Sequence, residues 1–266
     1  MLRRLRILPH LVSIHIRTHM QYRAALIVGW VAQVIGYAGV YASIALILTR
    51  FENLGGWSWP QMALLLAFHL LAYALGASLS FVQFRDMEEK VRLGTFDAIL
   101  VRPIGPWTFL AFSGLNIEYG GHIALAVALM AWSLGTMALD WSLPMALYFG
   151  AAIISSAMLV AAIMTMIGAT ALVWVRSRHL FAIFFGFWEL ARYPLNIFPV
   201  PLQVLLITIA PLGFLAFVPT AVILGKPVPI LGDWALSASL AIGPLATLIA
   251  MAHWRWCLRN YQGAGG

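Results

Sequence analysis

The sequence predicts an all-α integral membrane protein with six transmembrane helices and a re-entrant hairpin between the fifth and the sixth. Hydrophobic residues make up 62% of the chain and charged residues only 9%, whereas typical soluble domains carry about 25% charged residues. Several uncharged runs exceed the ~20 residues that a helix needs to cross the hydrocarbon core of a bilayer. Lys and Arg residues flank these runs, as they do where they set membrane orientation.

Residues 1–23 form a basic segment with five arginines. Either an interfacial helix begins after Pro9 and faces anionic headgroups, or the segment only fixes the topology. The first span is predicted at residues 24–48 and the second at residues 60–84. On the second span, small residues recur every four positions and would let another helix approach closely; they are Ala72, Gly76 and Ser80.

Four more spans follow. The third is predicted within residues 108–139, where Glu118 lies either at the cytosolic edge or inside the membrane. The fourth is expected at residues 143–175, the fifth at residues 180–198 and the sixth at residues 234–254. Because six is an even number, both chain ends would lie on the same side, in the cytosol.

The hairpin is predicted at residues 200–225, which are apolar but carry three prolines. Prolines at this density break a straight helix, and irregular backbone survives at membrane depth only where protein or a water-filled cavity satisfies its polar groups. With the hairpin, thirteen of the sixteen Lys and Arg residues lie inside and three outside. A full crossing would change this to twelve and four, so the positive-inside rule weakly favours the hairpin. We expect a single domain over residues 1–266.

Residues 85–107 form a polar island between two apolar runs, with four of the nine acids and four of the sixteen basic residues. We name this segment the docking element and expect it in the cytosol; the alternative is a solvated loop that serves only solubility and orientation. Its helical part would end at Gly94, and Thr95 would cap the next turn. Apolar side chains of that turn would plug a groove on a partner, namely Phe96, Ile99 and Leu100. The candidate docking residues are Glu88, Glu89, Arg92, Gly94, Thr95, Phe96, Asp97 and Arg102.

Residues that carry catalysis are not evident. The Gly225–Lys226 pair is followed by proline and lacks the upstream glycine of a phosphate-binding loop, and no G-x-S-x-G motif occurs. The single cysteine, Cys257, excludes an internal disulfide and a cysteine-rich metal site. The basic residues form no patch with a nucleic-acid-binding motif. We therefore expect no enzyme activity, metal, cofactor or nucleic-acid partner, and any ATP that drives the protein would be hydrolysed by another chain.

Ionisable residues in or beside the predicted spans are candidates for a translocation path, because they are costly there and often mark one. Glu189 and Arg192 are three residues apart, a helical spacing at which side chains meet. They either mark a pathway or form a local ion pair that lowers its own burial cost. Glu118 is either a pathway residue or an interface anchor. Tyr193, next to Arg192, completes the candidate set.

Four stretches, taken in order, resemble the ABC-2 type permease family, in particular bacterial six-span permeases paired with a second permease and a separate ATPase. EEKVRLGTFDAILVRPIGPW (88–107) resembles the cytosolic loop of that group, with its Gly-Thr-Phe-Asp core and Arg-Pro pair. ARYPLNIFP (191–199) and APLGFLAFVPTAVILG (210–225) resemble the end of its fifth span and its re-entrant region. WRWCLRNYQGAGG resembles its C-terminal signature, except that Gly263 stands where relatives usually carry serine.

The resemblance implies the transmembrane subunit of an ATP-driven exporter in the bacterial plasma membrane, with both termini cytosolic. The chain would pair with a second permease, identical or homologous, and with two ATP-binding subunits that bind the nucleotide. The docking element would be the coupling element seated on the ATPase.

An ion-gradient-driven secondary transporter is the alternative. It predicts acids near the bilayer midplane and internal repeats, yet only Glu118 is a candidate and no repeat appears. A membrane-embedded enzyme would need clustered His, Asp or Glu residues, which the sequence lacks. A purely structural membrane protein gives no reason for the polar docking element.

Overall fold

The computed structural model describes residues 13, 17–18, 20–51, 53–137, 139–174 and 176–263. Most of residues 1–23, with the interfacial helix predicted after Pro9, lies outside the described residues. The described part is largely helical and contains no β-strand, which confirms the all-α prediction.

Eleven α-helices of very different length form the described part of the chain. In order they are α1 (Arg23–Phe51), α2 (Trp59–Arg85), α3 (Met87–Arg92), α4 (Asp97–Leu100), α5 (Pro106–Ser113), α6 (Gly120–Thr136), α7 (Leu143–Trp174), α8 (Arg178–Leu190), α9 (Val200–Val204), α10 (Phe217–Ile223) and α11 (Ala235–Arg259). Short 3₁₀ turns lie between them at Ile117–Tyr119, Leu195–Ile197, Leu212–Leu215 and Gly232–Trp234, and a π-helical turn follows α9 at Leu205–Ile209.

Five segments within the described residues are long and apolar enough to cross a membrane. They match the predicted first, second, third, fourth and sixth spans, and they are Arg23–Phe51, Trp59–Arg92, Ile117–Thr136, Leu143–Trp174 and Gly232–Arg259.

The predicted fifth span differs from the structure. The prediction placed a helix over residues 180–198, but α8 ends at Leu190 after 13 residues. Such a helix is about 20 Å long, shorter than the ~30 Å hydrocarbon core. The reason is Pro194, which lacks an N–H donor and whose ring would clash with the carbonyl of Leu190 in a continued helix.

The α2 helix forms the centre of the bundle. It begins after Ser58, whose N–H donates to the Gln61 side chain across 3.2 Å, and its side chains from Met62 to Ala74 are buried. A Cβ at Gly76 would overlap the carbonyl of Ala157 on α7. Ser80 is also buried and donates to the backbone of Gly76 across 2.7 Å. The predicted close helix approach at this small-residue row is therefore confirmed.

The helices α7 and α11 also pack at very short range. A Cβ at Gly243 would overlap the Ser155 backbone, and the Ser155 hydroxyl accepts from the Gly243 N–H across 3.0 Å. The same hydroxyl donates to the Ser239 carbonyl across 2.7 Å. Glycine and serine thus bring the two backbones together and hold them with hydrogen bonds.

One end of the bundle, which we name the Trp57 end, gathers the loop between α1 and α2 and both ends of the irregular segment at residues 196–226. Asn196 donates to the Gly55 carbonyl across 2.6 Å. Lys226 donates to the Gly56 carbonyl across 2.8 Å. The junction between α6 and α7 lies at the same end, since Ser133 donates to the Pro60 carbonyl across 2.6 Å.

Between its two ends, the segment at residues 196–226 reaches deep along α7. Ser156 donates to the Phe214 carbonyl across 2.8 Å. Since Ser156 is 13 residues from the start of α7, the contact lies about 20 Å along that helix. The chain therefore leaves the Trp57 end, reaches the middle of the bundle and returns to the same end.

Candidate docking element and membrane pathway

The docking element lies at the opposite end of the bundle, where its backbone turns twice within a few residues. Gly94 has φ +68°, a left-handed conformation that glycine adopts without strain, and it ends α3 as predicted. Thr95 was predicted to cap the next turn. Instead, its hydroxyl donates to the Lys90 carbonyl across 3.3 Å, and α4 has no side-chain cap. Thr95 thus closes the preceding helix, because the glycine turn points its hydroxyl backward.

The Phe96 side chain is buried in the fold and is not exposed at the protein surface. It is fully buried, with ring centroids 6.3 Å from Trp254 and 5.2 Å from Tyr261. Ile99 is also buried, whereas Leu100 is exposed. The expectation that Phe96 and Ile99 plug a groove on a partner is therefore not met, because both side chains are buried within the chain and Phe96 packs on Trp254 and Tyr261.

Asp97 is held by the residues that follow α11. The Tyr261 hydroxyl donates to the Asp97 carboxylate across 2.8 Å. Burial, the hydrogen bond and the negative charge of Asp97 raise the pKa of Tyr261 to about 12, so the phenol stays protonated and keeps donating at neutral pH. A Cβ at Gly263 would lie 3.5 Å from the carboxylate, an ordinary contact distance that leaves room for a serine side chain at this position.

Glu88 faces α8. One of its carboxylate oxygens accepts from the backbone N–H groups of Ser177 and Arg178, each across 2.8 Å. These are the unpaired donors at the start of a helix, where a negative charge is favourable. Glu88 therefore connects the docking element to α8 instead of pointing freely into solvent.

The remaining predicted side chains form an exposed surface. Arg102 stacks on the Phe109 ring of α5, with 4.3 Å from the guanidinium carbon to the ring centroid. Apolar side chains lie among the charges, with Val101 85%, Leu93 57% and Leu100 38% exposed. The polar members of this surface, which we name the docking surface, are Glu89, Arg92, Thr95 and Arg102.

Two candidate pathway residues, Glu189 in the last turn of α8 and Arg192 just after it, form an ion pair beside an aromatic ring. Arg192 is buried and pairs with Glu189, whose side chain is 57% exposed. The guanidinium carbon lies 5.4 Å from the Trp188 ring centroid, and Tyr193 is half-buried. The predicted contact at a spacing of three residues is confirmed. Arg192 is therefore buried in the protein, whereas Glu189 is exposed at its surface.

Glu118 lies just before α6. Asn116 donates to its carboxylate across 3.3 Å, and Gln33 on α1 donates to its carbonyl across 2.8 Å. The Gln33 carbonyl oxygen in turn lies 2.7 Å from a ring nitrogen of His122. This position places Glu118 at a junction between α1 and α6.

An aromatic cluster that was not predicted from the sequence lies between Glu118 and Arg192. His122 lies 4.8 Å from the Tyr37 ring, and the Trp188 ring lies 4.9 Å from that of Tyr73. His69 contacts the Trp188 carbonyl at 3.2 Å. The only sequence signal was a histidine in each of two apolar runs. The cluster consists of Tyr37, His69, Tyr73, Tyr119, His122 and Trp188.

Trp254 and Tyr261 also contact the docking element, and neither contact was predicted from the sequence. A spacing of seven residues predicts two aromatic side chains on one helix face, and this signal could have indicated a common contact for Phe96, although in the structure Tyr261 lies two residues beyond the end of α11.

Comparison with known proteins agrees with this architecture. A family model described as ABC-2 family transporter protein matches residues 34–265, which include the docking element, the segment at residues 196–226 and most of the five long apolar segments. Neither a curated protein nor a solved structure matches the chain. Permeases of the matched family are generally non-catalytic membrane components that associate with ATP-binding subunits. The chain therefore belongs to the ABC-2 transporter family, as a multi-pass membrane permease subunit of an ABC transporter.

Proposed function

We propose that the chain is the permease subunit of an ATP-driven exporter, coupled through its docking element to separate ATP-binding subunits. The observation that carries this proposal is the docking surface, where Leu93, Leu100 and Val101 are exposed among charged side chains at one end of the bundle. Apolar anchors inside a polar rim are typical of protein interfaces. In this proposal, ATP is bound and hydrolysed by the partner chains and not by the permease itself.

The contacts inside the docking element support this role. Phe96 and Asp97 fix it to α11, Glu88 fixes it to α8, and Trp107 donates to Thr165 on α7 across 3.4 Å. A segment fixed to several helices is able to pass a displacement on to them. The predicted coupling residues thus divide into a surface that receives the ATPase and an inner set that holds that surface in place.

The proposed topology has six crossings and a re-entrant hairpin. Arg178, at the start of α8, contacts Glu88 of the docking element, and Asn196, after α8, contacts Gly55 at the Trp57 end. The segment from Arg178 to Asn196 therefore connects the two ends of the bundle, although α8 itself is short. The return of the chain to Gly56 at Lys226 supports a hairpin. With the docking element in the cytosol, both termini are cytosolic and the Trp57 end faces outward, as the distribution of Lys and Arg favours.

A second permease, identical or homologous, completes the translocation path beside α1 and α8. Both helices leave apolar side chains uncovered, with Ile35 67% and Ile183 54% exposed. Glu118, Glu189, Arg192 and Tyr193 are the proposed pathway residues. The half-exposed pair of Glu189 with buried Arg192 is the strongest of them, since a charge held at the edge of protein in a membrane is costly without a use.

The test is to place a charge at the most exposed apolar side chain of the docking surface, Val101. Val101→Asp is expected to reduce co-purification of the ATPase at least tenfold, because a buried, unpaired carboxylate is strongly unfavourable in an interface. Ile230→Asp is the matched control, since Ile230 is 54% exposed near the Trp57 end. Its φ of +71° is one that aspartate tolerates. Unchanged co-purification and unchanged ATPase turnover for Val101→Asp would contradict the proposal, and gradient-driven transport without nucleotide would favour a secondary transporter.

A further inference from the structure

The docking element has a direct polar contact with α8 that is separate from its contacts with α7 and α11. The Glu88 carboxylate accepts both N–H groups at the start of α8, from Ser177 and Arg178, at 2.8 Å. Charge-assisted hydrogen bonds of this kind are about twice as strong as neutral ones. They also act on the helix backbone, so a movement of Glu88 acts on the whole helix and not on one side chain.

The helix α8 leads from this contact to the proposed pathway. Its last turn carries Trp188 and Glu189, and Arg192 follows within three residues. Trp188 contacts His69 and Tyr73 on α2 and Tyr37 on α1. A helix of 13 residues with backbone hydrogen bonds along its length is stiff, so a displacement at Arg178 reaches Trp188 and Glu189.

The contacts of Phe96 and Asp97 join the docking element to the end of α11 and the residues after it, and not to α8. Phe96 and Asp97 contact Trp254 and Tyr261 at the end of α11. Neither residue has a hydrogen bond or ring contact to α8 within the described part of the chain. Glu88 is thus the polar link that is specific to α8.

We propose that Glu88 is a positioning residue that couples displacement of the docking element to movement of α8, and through α8 to the Glu189–Arg192 pair. This inference rests on the proposed function, because the displacement is supplied by ATP-binding subunits seated on the docking surface. It assigns Glu88 a role within the chain, whereas Glu89, its exposed neighbour, belongs to the docking surface.

The experiment measures movement of α8 in the complex purified with its ATP-binding subunits. Spin labels on cysteines placed at Ile183 of α8 and Ile154 of α7, which are 54% and 61% exposed, report the distance between the helices with and without trapped ATP. In the labelled protein that keeps Glu88, the distance between the two helices is expected to change when ATP is trapped. In Glu88→Ala the change is expected to fall below half, while co-purification and ATP binding stay within twofold. Glu88→Gln, which keeps one acceptor oxygen but no charge, is expected to fall between the two.

Asp233→Ala is the matched control, because Asp233 is an exposed carboxylate beside Lys226 near the Trp57 end and outside the docking surface, and it is expected to show the full change. If Glu88→Ala also shows the full change, or if the distance does not respond to ATP in the otherwise unaltered protein, the proposed role of Glu88 is wrong. If Glu88→Ala does not fold, Glu88→Gln decides by the same comparison. Failure of the unaltered chain to co-purify with any ATPase would instead overturn the proposed function itself.

Discussion

The contact between Phe96 and the end of α11 shows how one residue changes the interpretation of a motif. In sequence, Phe96 follows a glycine turn in a polar island and has the character of an exposed anchor. In the structure it is fully buried between Trp254 and Tyr261. Asp97, next to it, is exposed but already accepts a hydrogen bond from Tyr261. The pair therefore supports the docking surface from within the chain.

At this scale we predict that Phe96→Ala acts first on stability. Truncating a buried phenylalanine costs about 3–5 kcal/mol, because the ring contacts are lost and a cavity remains. Leu93→Ala, at a position that is 57% exposed, is the control and is expected to cost less than ~1 kcal/mol. Thermal unfolding in detergent measures both. Equal unfolding temperatures for the two variants would contradict the burial of Phe96.

At the scale of elements, glycine and serine decide which helices meet. Gly76 lets α2 approach α7, and Gly243 lets α11 approach Ser155 on the same helix. In a bilayer, hydrocarbon surface gains little by contact with other hydrocarbon, so close backbone packing and hydrogen bonds stabilise helix pairs. The short α8 follows a different rule, since Pro194 ends it early. Its first turn is held by a carboxylate from another element.

We predict that Gly243→Ala separates α7 from α11 and destabilises the protein. The added methyl group would overlap the Ser155 backbone, which cannot move as a flexible side chain would, and overpacking of this kind costs about 1–3 kcal/mol. Gly150→Ala on α7 is the control. Nothing lies within 4 Å of a Cβ there, and alanine favours the helix by up to ~1 kcal/mol. The unfolding temperature should fall for Gly243→Ala and stay or rise for Gly150→Ala; the reverse order would show that the two helices do not pack as described.

At the scale of the whole molecule, hydrogen bonds show which residues gather at each of the two ends of the bundle. The Trp57 end gathers Gly55, Gly56, Asn196 and Lys226. The opposite end gathers the docking element and the ends of α7 and α11. The two groups lie on opposite sides of the membrane in the proposed topology, and the segment at residues 196–226 enters and leaves on one side.

In cells that express the chain without ATP-binding subunits, which would otherwise cover Val101, we predict that a cysteine at Ile230 reacts with a membrane-impermeant thiol reagent from outside the cell, and that a cysteine at Val101 reacts only after the cytosol is opened. Both side chains are exposed, at 54% and 85%, and the natural Cys257 is buried, so it gives little background. Labelling of Ile230→Cys from the cytosol alone would refute the hairpin and the six-crossing topology with it.

Sequence alone determined the membrane class, the positions of five long apolar segments, the glycine turn at Gly94 and the meeting of Glu189 with Arg192. Each of these features depends on composition, on the length of an apolar run or on the spacing of nearby residues. Such local properties can be read directly from a short stretch of sequence. The early end of α8 was also predictable from Pro194, although the predicted fifth span extended past that proline.

Only the tertiary structure decided which side chains of the docking element are exposed and which are buried within the chain. Phe96 meets residues more than 150 positions away, and Glu88 meets the start of α8 almost 90 positions away. The aromatic cluster likewise draws on α1, α2, α6 and α8. Periodicity shows which face of a helix is apolar, but it does not show which distant element covers that face, because the choice depends on how all the helices pack together.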